Sequence, residues 1–427
     1  MSLSIGSLFS SSGNVANVTT RQMKDLTSAQ VAQLGTDQIG WLSSAQIQGI
    51  DASDFRALTS TQVSALQSTQ AAGLEVADIS AMLAQISFLT TDAVRGLSTQ
   101  TLSKISAGIL SQFSSTQIEG LTSDQVAVLS AAQIGSLSAA SVGTFSTDEI
   151  AAISTRAITG LTTAQLSALG SEDLAALSSA QINKLTAKQV GALDATALTE
   201  AFDSADIAAI NRGAASGLTT AQLAAFGTEE SSGLSTAQIN ALSLAAFSNL
   251  GTDALNGLST AAFSKLSNNV ISSLSNSALN NLSTDLAAAL TRTQVSALST
   301  AQLNALQSDG LRALNTAAVA GLSRAQLAGL ATDVSSGFTS AQVARLSATQ
   351  ISSMNTGAFG GLATDALRAI GAGQVGSLTT AQIAQLSATD VDALTTTQLA
   401  KFTGAQLSFA ALMPPNRRCL GTPHSRT

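Results

Sequence analysis

The chain has 427 residues, of which 45% are hydrophobic and only 11% are charged, and its formal net charge is −7. Charged residues make up about a quarter of an average globular protein. The composition therefore excludes both a basic track for nucleic acid and the highly charged, weakly hydrophobic type of disordered chain. A single cysteine and a single histidine leave no disulfide framework and little material for catalysis. We expect no enzyme, no cofactor, no metal site and no nucleic-acid partner.

Residues 1–17 form a Ser/Gly-rich segment at the amino terminus. A cleavable export signal has a basic region followed by an apolar block, and this segment has neither. The longest apolar stretches of the whole sequence are far shorter than a membrane span. We therefore expect no transmembrane segment.

An apolar anchor residue recurs every eight residues from Val18 to Phe402, which gives about 48 octapeptide repeats. A fixed short period is typical of a solenoid, in which each repeat buries its apolar face against its neighbours. The pattern predicts one repeat domain over residues 18–412.

Each repeat carries the sequence signals that begin a helix. Position 1 is apolar, position 2 is Ser or Thr, position 5 is Gln, and position 6 is Leu, Ile or Val. Positions 2 and 5 form a capping box, and positions 1 and 6 form a hydrophobic staple. Positions 1 and 6 also have opposite parity, so a simple strand could not bury both. Three clear copies supply the candidate structural residues Leu26, Thr27, Gln30 and Val31; Leu161, Thr162, Gln165 and Leu166; Leu234, Ser235, Gln238 and Ile239.

The fold predicted from this pattern is an all-α solenoid or superhelix of about 48 short capped helical turns, with two repeats in each layer. Position 8 is usually Ala, Gly or Ser, which allows neighbouring turns to approach closely. A β-solenoid, in which each repeat bends into a β-arc, is the alternative, because the Ser, Thr, Gly and Asn content permits it. Ala, Leu and Gln favour the helix.

The register of the repeat changes at two places. The step from Met82 to Leu89 is seven residues, and the step from Leu193 to Phe202 is nine. The two changes cancel, and a repeat stack tolerates them because each repeat contacts mainly its neighbours. We interpret them as local kinks and not as domain boundaries.

Residues 413–427 form an irregular tail that contains all three prolines together with Cys419 and His424. Two potential ligands cannot complete a zinc site, so no metal is predicted there. The tail is either a sorting or export signal, or the product of a shifted reading frame, of a truncated array or of a fusion scar.

The phrase Leu-Ser/Thr-Thr-Ala-Gln-Ile/Val-x-Ala-Leu resembles the Ala/Leu/Ser/Thr/Gln-rich octapeptide repeats of large proteobacterial proteins, loosely described as adhesin-like or haemagglutinin-like. The resemblance extends from Val18 to about Leu412. It implies a bacterial secreted or surface protein, and it brings no active-site residues with it.

Two functions remain open from the sequence. The first is a non-enzymatic structural scaffold, adhesin or matrix component, located outside the cell or on its surface. The alternative is an intracellular, cytoplasmic solenoid that binds another protein. The partner is an unknown protein or surface, and self-association is expected where an array end exposes apolar residues. A scaffold should have similar exposed positions 3, 4 and 7 throughout, whereas a binding groove should have one aromatic or charged stretch.

Overall fold

The computed structural model describes residues 5–406, and this part of the chain is built from short helices. It contains 47 α-helices and three 3-10 helices, and no β-strand occurs between residues 5 and 406. The prediction of an all-α repeat solenoid is therefore confirmed, and the β-solenoid alternative is wrong for these residues. Residues 407–412 of the predicted repeat domain and the whole 413–427 tail, with Cys419 and His424, lie outside the described residues.

The chain divides into two compact bodies, Met1–Gly217 and Leu218–Thr427, which we call the N-terminal body and the C-terminal body. The helices of the N-terminal body are Ile5–Leu8, Ser12–Val15, Thr20–Lys24, Ser28–Val31, Thr36–Gly40, Ser44–Gly49, Ala52–Ala57 (3-10), Ser60–Ser64, Ser68–Ala71, Val76–Ala81, Leu83–Phe88 (3-10), Thr91–Gly96, Thr99–Lys104, Ala107–Leu110, Ser115–Ile118, Ser123–Ala127, Ala131–Ser136, Ala139–Val142, Thr147–Ala152, Ile158–Gly160 (3-10), Thr163–Leu166, Ser171–Ala175, Ser179–Ile182, Ala187–Val190, Ala195–Ala201, Ser204–Ala209 and Arg212–Ala215.

The helices of the C-terminal body are Thr220–Ala225, Thr228–Ser232, Thr236–Ile239, Leu244–Phe247, Thr252–Gly257, Thr260–Phe263, Asn268–Ser272, Asn276–Asn280, Thr284–Ala289, Arg292–Ala297, Thr300–Ala305, Gln307–Ala313, Thr316–Val319, Arg324–Ala328, Thr332–Ser335, Ser340–Val343, Ala348–Ser353, Thr356–Gly360, Thr364–Arg368, Ala372–Val375, Thr380–Ile383, Ala388–Ala393 and Thr396–Leu399. The sequence predicts one repeat domain over residues 18–412. The division into two bodies falls between Gly217 and Leu218, where the octapeptide register does not change, and the 18–412 domain stays a prediction.

Within each body, most helices pack against the helix three repeats further along, as Thr20–Lys24 does against Ser44–Gly49 and Ser123–Ala127 does against Thr147–Ala152. One layer of the solenoid therefore takes three repeats, and the expectation of two repeats per layer is wrong. The cause lies in the linkers. A single N-cap residue with extended backbone, such as Ser43 at φ −79° and ψ 160°, turns the chain through a corner but does not reverse it. Three corners are needed to close one layer.

The core of both bodies is formed by positions 1 and 6 of the repeat, as the staple pattern requires. Leu161 is 3% exposed and Leu166 is fully buried. Burying a Leu or Ile side chain stabilises the fold by about 1.5–3 kcal/mol, and this gain stabilises helices that are too short to exist alone. The stack also extends further towards the amino terminus than Val18, because Phe9 and Val15 are buried beside the helices Ile5–Leu8 and Ser12–Val15.

Both register changes are absorbed by helix geometry. The seven-residue repeat ends in the 3-10 helix Leu83–Phe88, and this tighter coil uses fewer residues per turn than an α-helix. The nine-residue repeat contains the seven-residue α-helix Ala195–Ala201. Neither change coincides with the boundary between the two bodies.

Position 8 is the place where successive layers come closest. A Cβ atom added at Gly73 would lie 2.1 Å from the carbonyl oxygen of Ser44, which belongs to the preceding layer. A side chain at this position would therefore force the layers apart. The small residue at position 8 has the structural role that the sequence suggests.

Candidate functional site

The repeated cap is the most prominent polar feature of the molecule, and the helix Thr163–Leu166 shows its geometry. The backbone N–H of Gln165 donates to Thr162 Oγ1 at 3.2 Å, and the backbone N–H of Thr162 donates to Gln165 Oε1 at 2.7 Å. The two bonds satisfy N–H groups that would otherwise lack a partner at the start of the helix. Leu161 and Leu166 lie in the core on either side of this cap.

The other two candidate copies have the same arrangement. Thr27 caps the helix Ser28–Val31, and Ser235 caps Thr236–Ile239; each has both bonds of the capping box, completed by Gln30 and Gln238. The staple residues of both copies are buried, namely Leu26, Val31, Leu234 and Ile239. All twelve candidate residues therefore take part in helix starts or in the core.

Glutamine at position 5 has a second role, which the capping pattern does not reveal. The side chain of Gln165 is 1% exposed, and its Nε2 donates to the carbonyl oxygens of Ile134 and Leu137, both at 2.8 Å. These carbonyls lie 31 and 28 residues earlier in the chain, in the preceding turn of the solenoid. One side chain thus caps its own helix with its oxygen and joins two layers with its nitrogen.

The same interlayer bond recurs along both bodies, and we call this set of residues the glutamine seam. Its members donate from Nε2 to backbone carbonyls 28 to 31 residues earlier. They include Gln38, Gln46, Gln62, Gln70, Gln117, Gln125, Gln133, Gln165, Gln181 and Gln189 in the N-terminal body, and Gln294, Gln302, Gln326, Gln342, Gln350, Gln374, Gln382, Gln398 and Gln406 in the C-terminal body.

A sequence signal for the seam exists in the choice of Gln over Glu. Either residue can complete a capping box, and the helix dipole would favour the negative charge of Glu in the first turn. Only the carboxamide has an N–H group to donate. A strong preference for Gln at a buried N3 position therefore indicates an acceptor outside the helix.

Asparagine at position 2 replaces the glutamine in three repeats that have alanine at position 5. Asn315 accepts a bond from the backbone N–H of Ala318 at 2.8 Å, and its Nδ2 donates to the carbonyl oxygens of Ala288 and Leu290 at 3.0 and 2.9 Å. Asn211 and Asn355 do the same in their own layers. The cap and the interlayer bond thus come from one amide side chain in these repeats as well.

Carboxylic acids occupy position 5 in a few repeats and weaken this arrangement. Asp78 is 4% exposed, and it accepts a bond from the backbone N–H of Glu75 at 2.8 Å. Burial raises the pKa of the Asp78 carboxyl to about 6; the bond from Glu75 opposes this rise, and the Glu75 charge adds to it. The pKa of Asp206 is also raised, chiefly by burial and then by the charge of Asp203.

Exposed acids occur at position 4 at a regular spacing. They are Asp92, Asp124, Asp148 and Glu172 in the N-terminal body, and Glu229, Asp253, Asp285, Asp309, Asp333 and Asp365 in the C-terminal body, at intervals of 24 or 32 residues within each body; Asp37 is a further one, 55 residues before Asp92. Several of their helices pack directly on each other, as Thr228–Ser232 does on Thr252–Gly257. Position 4 lies in the first turn, where a negative charge stabilises the helix dipole. The acids often accompany a Gly or Ala cap, as Asp253 accompanies Gly251, so they offset a missing capping hydroxyl.

The outer surface of the described part offers few groups for chemistry. Five large apolar side chains are exposed, namely Trp41, Leu83, Phe88, Val128 and Leu244, and they are scattered along the chain. Residues 5–406 contain no histidine or cysteine, and no cluster of three or more metal-ligating side chains is found among them. No helix in this part of the protein combines the length and the apolar content needed to cross a bilayer.

Comparison with protein families identifies this chain as a repeat protein. Three segments, residues 15–50, 166–200 and 367–404, match the model of the ALTTAQ repeat. Together they cover about a quarter of the chain. The first match begins at Val15, three residues before the anchor at Val18, which agrees with the early start of the helical stack. No curated protein is similar to this chain.

Solved structures give only remote similarities. A homology model of the full-length AP-3 complex in an intermediate open conformation is 11% identical, with 94% of this chain and 75% of that chain covered and a TM-score of 0.26. The leucine-rich repeat-containing protein LegL7 from Legionella pneumophila is 10% identical, with 64% and 79% covered and a TM-score of 0.15. Scores this low support no argument about fold or function.

Proposed function

We propose that this protein is a non-enzymatic structural scaffold that acts outside the cell or on its surface. The observation that carries this proposal is the glutamine seam. The most frequent functional side chain of the repeat is buried and bonded to the preceding layer, as Gln165 is. A chain whose amide groups bond its layers to each other is suited to a structural role.

The outer positions of the repeat support the same proposal. Positions 3, 4 and 7 are mostly Ser, Thr, Ala, Asn and Gly, and the acids at position 4 recur at regular intervals. A specific binding groove would need a distinct stretch of aromatic or charged residues at its centre, because a few such residues dominate most interfaces. Of the exposed apolar side chains, Leu83 and Phe88 share one helix, whereas Trp41, Val128 and Leu244 lie far apart in sequence.

The location is tested by labelling intact cells of the native host with an antibody raised against the purified chain. We expect the antibody to bind intact cells, or to detect the protein in the culture medium, while a cytoplasmic marker stays unlabelled. Binding only after permeabilisation, with no protein in the medium, would contradict the surface proposal. That result would favour the intracellular binding solenoid.

The scaffold role itself is tested by block substitution of the outer surface. In successive blocks of three repeats, exposed Ser and Thr residues at position 3 that make no interlayer hydrogen bond are changed to Ala, with caps, glutamines and core left intact. A scaffold should tolerate each block equally, judged by surface amount and by any host phenotype of the deletion strain. If one block abolishes the phenotype while the folded protein remains on the surface, the chain carries a specific binding site.

A further inference from the structure

The glutamine seam is interrupted in three directly stacked layers of the N-terminal body. Position 5 is Asp54 in the 3-10 helix Ala52–Ala57, Asp78 in the helix Val76–Ala81 and Thr101 in the helix Thr99–Lys104, and each of these elements packs on the next. All three side chains are buried. The layers around Asp78 are therefore joined differently from those around a glutamine.

The neighbours of Asp78 have replacement bonds that Asp78 lacks. Thr101 Oγ1 donates to the carbonyl oxygen of Leu74 at 2.9 Å, so the layer above is joined through a hydroxyl group. Asp54 accepts a bond from the hydroxyl of Ser28 in the layer below. An ionised Asp78 has no proton to give to the preceding layer. By the 31- and 28-residue spacing of the seam, the carbonyls that would receive it belong to Ile47 and Ile50.

We propose that Asp78 makes the helix Val76–Ala81 a pH-responsive joint between layers. When the carboxyl is protonated, its O–H donates to the carbonyl oxygen of Ile47 or Ile50, as the glutamine amide does elsewhere. When it is ionised, it keeps the bond from the N–H of Glu75 and donates nothing to the preceding layer. Protonation therefore tightens the stack locally, and deprotonation loosens it.

The charged groups near this joint do not supply a strong partner that would keep Asp78 ionised. The helix itself has Glu75 at its N-cap, and Gln48 donates to that carboxylate at 2.9 Å. Across the packed elements, the 3-10 helix Ala52–Ala57 brings Asp51, Asp54 and Arg56, the helix Thr99–Lys104 brings Lys104, and the 3-10 helix Leu83–Phe88 brings no charged group. Two of these added charges are negative and two are positive, and burial together with the charge of Glu75 favours the neutral carboxyl.

The direction of the pH effect follows from the raised pKa. The folded protein holds the Asp78 proton up to about pH 6, whereas the usual aspartate pKa is 3.8. Between these values the folded state binds more protons than the opened state, so lowering the pH stabilises the layer. The destabilisation is fully present above about pH 6 and fades as the pH falls below that value.

Hydrogen–deuterium exchange of the full-length chain, measured at about pH 5 and about pH 7.5 and corrected for intrinsic exchange, tests the joint. We expect the amides of residues 76–82 to be protected about tenfold more at the lower pH. Residues 163–169, which contain the seam residue Gln165, serve as the internal reference and should show no such change. Equal protection of residues 76–82 at both values would overturn the proposal.

Two variants distinguish the effect of a hydrogen-bond donor at position 78 from general effects of substitution on folding. Asp78→Asn has a permanent N–H donor and no titration, so protection should be high and equal at both pH values. Asp78→Ala has neither, so protection should be low and equal at both. If D78N keeps the tenfold pH dependence of the wild type, another group titrates and the assignment to Asp78 is wrong. D78N alone decides the question if D78A does not fold.

Discussion

The helices Thr163–Leu166 and Val76–Ala81 lie in the same body and in repeats of the same type, but they are joined to the preceding layer in different ways. Gln165 accepts the cap N–H and donates twice to the layer before it. Asp78 accepts its cap N–H and makes no such donation when ionised. The comparison shows that a residue can satisfy its own helix fully and still leave the tertiary structure incomplete.

The largest expected effect comes from replacing Gln165 by an acid, which removes the interlayer donor in the way that ionised Asp78 lacks one. Gln165→Glu keeps an oxygen for the cap and the size of the side chain, but it places a carboxylate opposite the carbonyls of Ile134 and Leu137. An unpaired buried charge costs about 3–5 kcal/mol. Chemical denaturation followed by far-UV circular dichroism should show this loss at neutral pH and a smaller one in acid.

The matched control for this change is Gln100→Glu, because Gln100 is exposed at position 4 of its helix. Its effect should stay within about 0.5 kcal/mol. If the two variants were equally stable, the interlayer bonds of Gln165 would contribute nothing, and the comparison would fail.

A second change tests the distance at which the seam operates. Gly73→Ala places a Cβ 2.1 Å from the carbonyl oxygen of Ser44. The layers must separate, which also stretches the bonds from Gln70 to Gly40 and Leu42. Overpacking of this kind costs about 1–3 kcal/mol, measurable as a lower denaturation midpoint.

Gly40→Ala provides the comparison for that substitution, since a Cβ at Gly40 meets nothing within 4 Å. Alanine in this helix should leave stability unchanged or raise it by up to about 1 kcal/mol. An equal loss in both variants would mean that the close approach to Ser44 is not what makes alanine unfavourable at Gly73.

A smaller effect is expected where asparagine replaces the glutamine. Asn315→Ser keeps a capping oxygen for the N–H of Ala318 but removes the donor to Ala288 and Leu290. Losing these bonds should cost about 1–2 kcal/mol, seen as faster exchange of the amides of residues 316–319. Asn276→Ser, at an exposed first helical position, should leave exchange in its own helix almost unchanged.

The smallest effect isolates the cap from the seam. Thr162→Ala removes the hydroxyl that accepts the N–H of Gln165, while the two interlayer bonds of Gln165 remain possible. Loss of a capping hydroxyl costs about 1 kcal/mol. A loss as large as that of Q165E would show that the cap, and not the seam, holds this glutamine in place.

The helices, their caps and their core residues could be predicted from single repeats. The capping box of Thr162 and Gln165 uses only residues three positions apart, and the staple of Leu161 and Leu166 only residues five positions apart. Such local bonds are available before any tertiary structure forms. The same reasoning led to the wrong expectation of two repeats per layer. The angle between consecutive helices depends on the extended cap residue and on packing across layers, and a single repeat contains neither the packing nor the sum of the angles.

The role of Asp78 could not be deduced from its own repeat, where an acid in the first turn is favourable. Its cost arises from burial beneath the next layer and from carbonyls 28 and 31 residues away. The preference for Gln over Glu indicates that a distant acceptor exists, but it does not say where the acceptor lies.

The amino-acid sequence by itself determined that this protein is a stack of short capped helices, because an eight-residue pattern of apolar, hydroxyl and amide side chains specifies local hydrogen bonds and one buried face. Only the tertiary structure decided that three repeats form a layer and that the glutamine amides bond to the preceding turn. These features depend on where distant backbone carbonyls come to lie, and that position is the sum of many small corner angles that no single repeat contains.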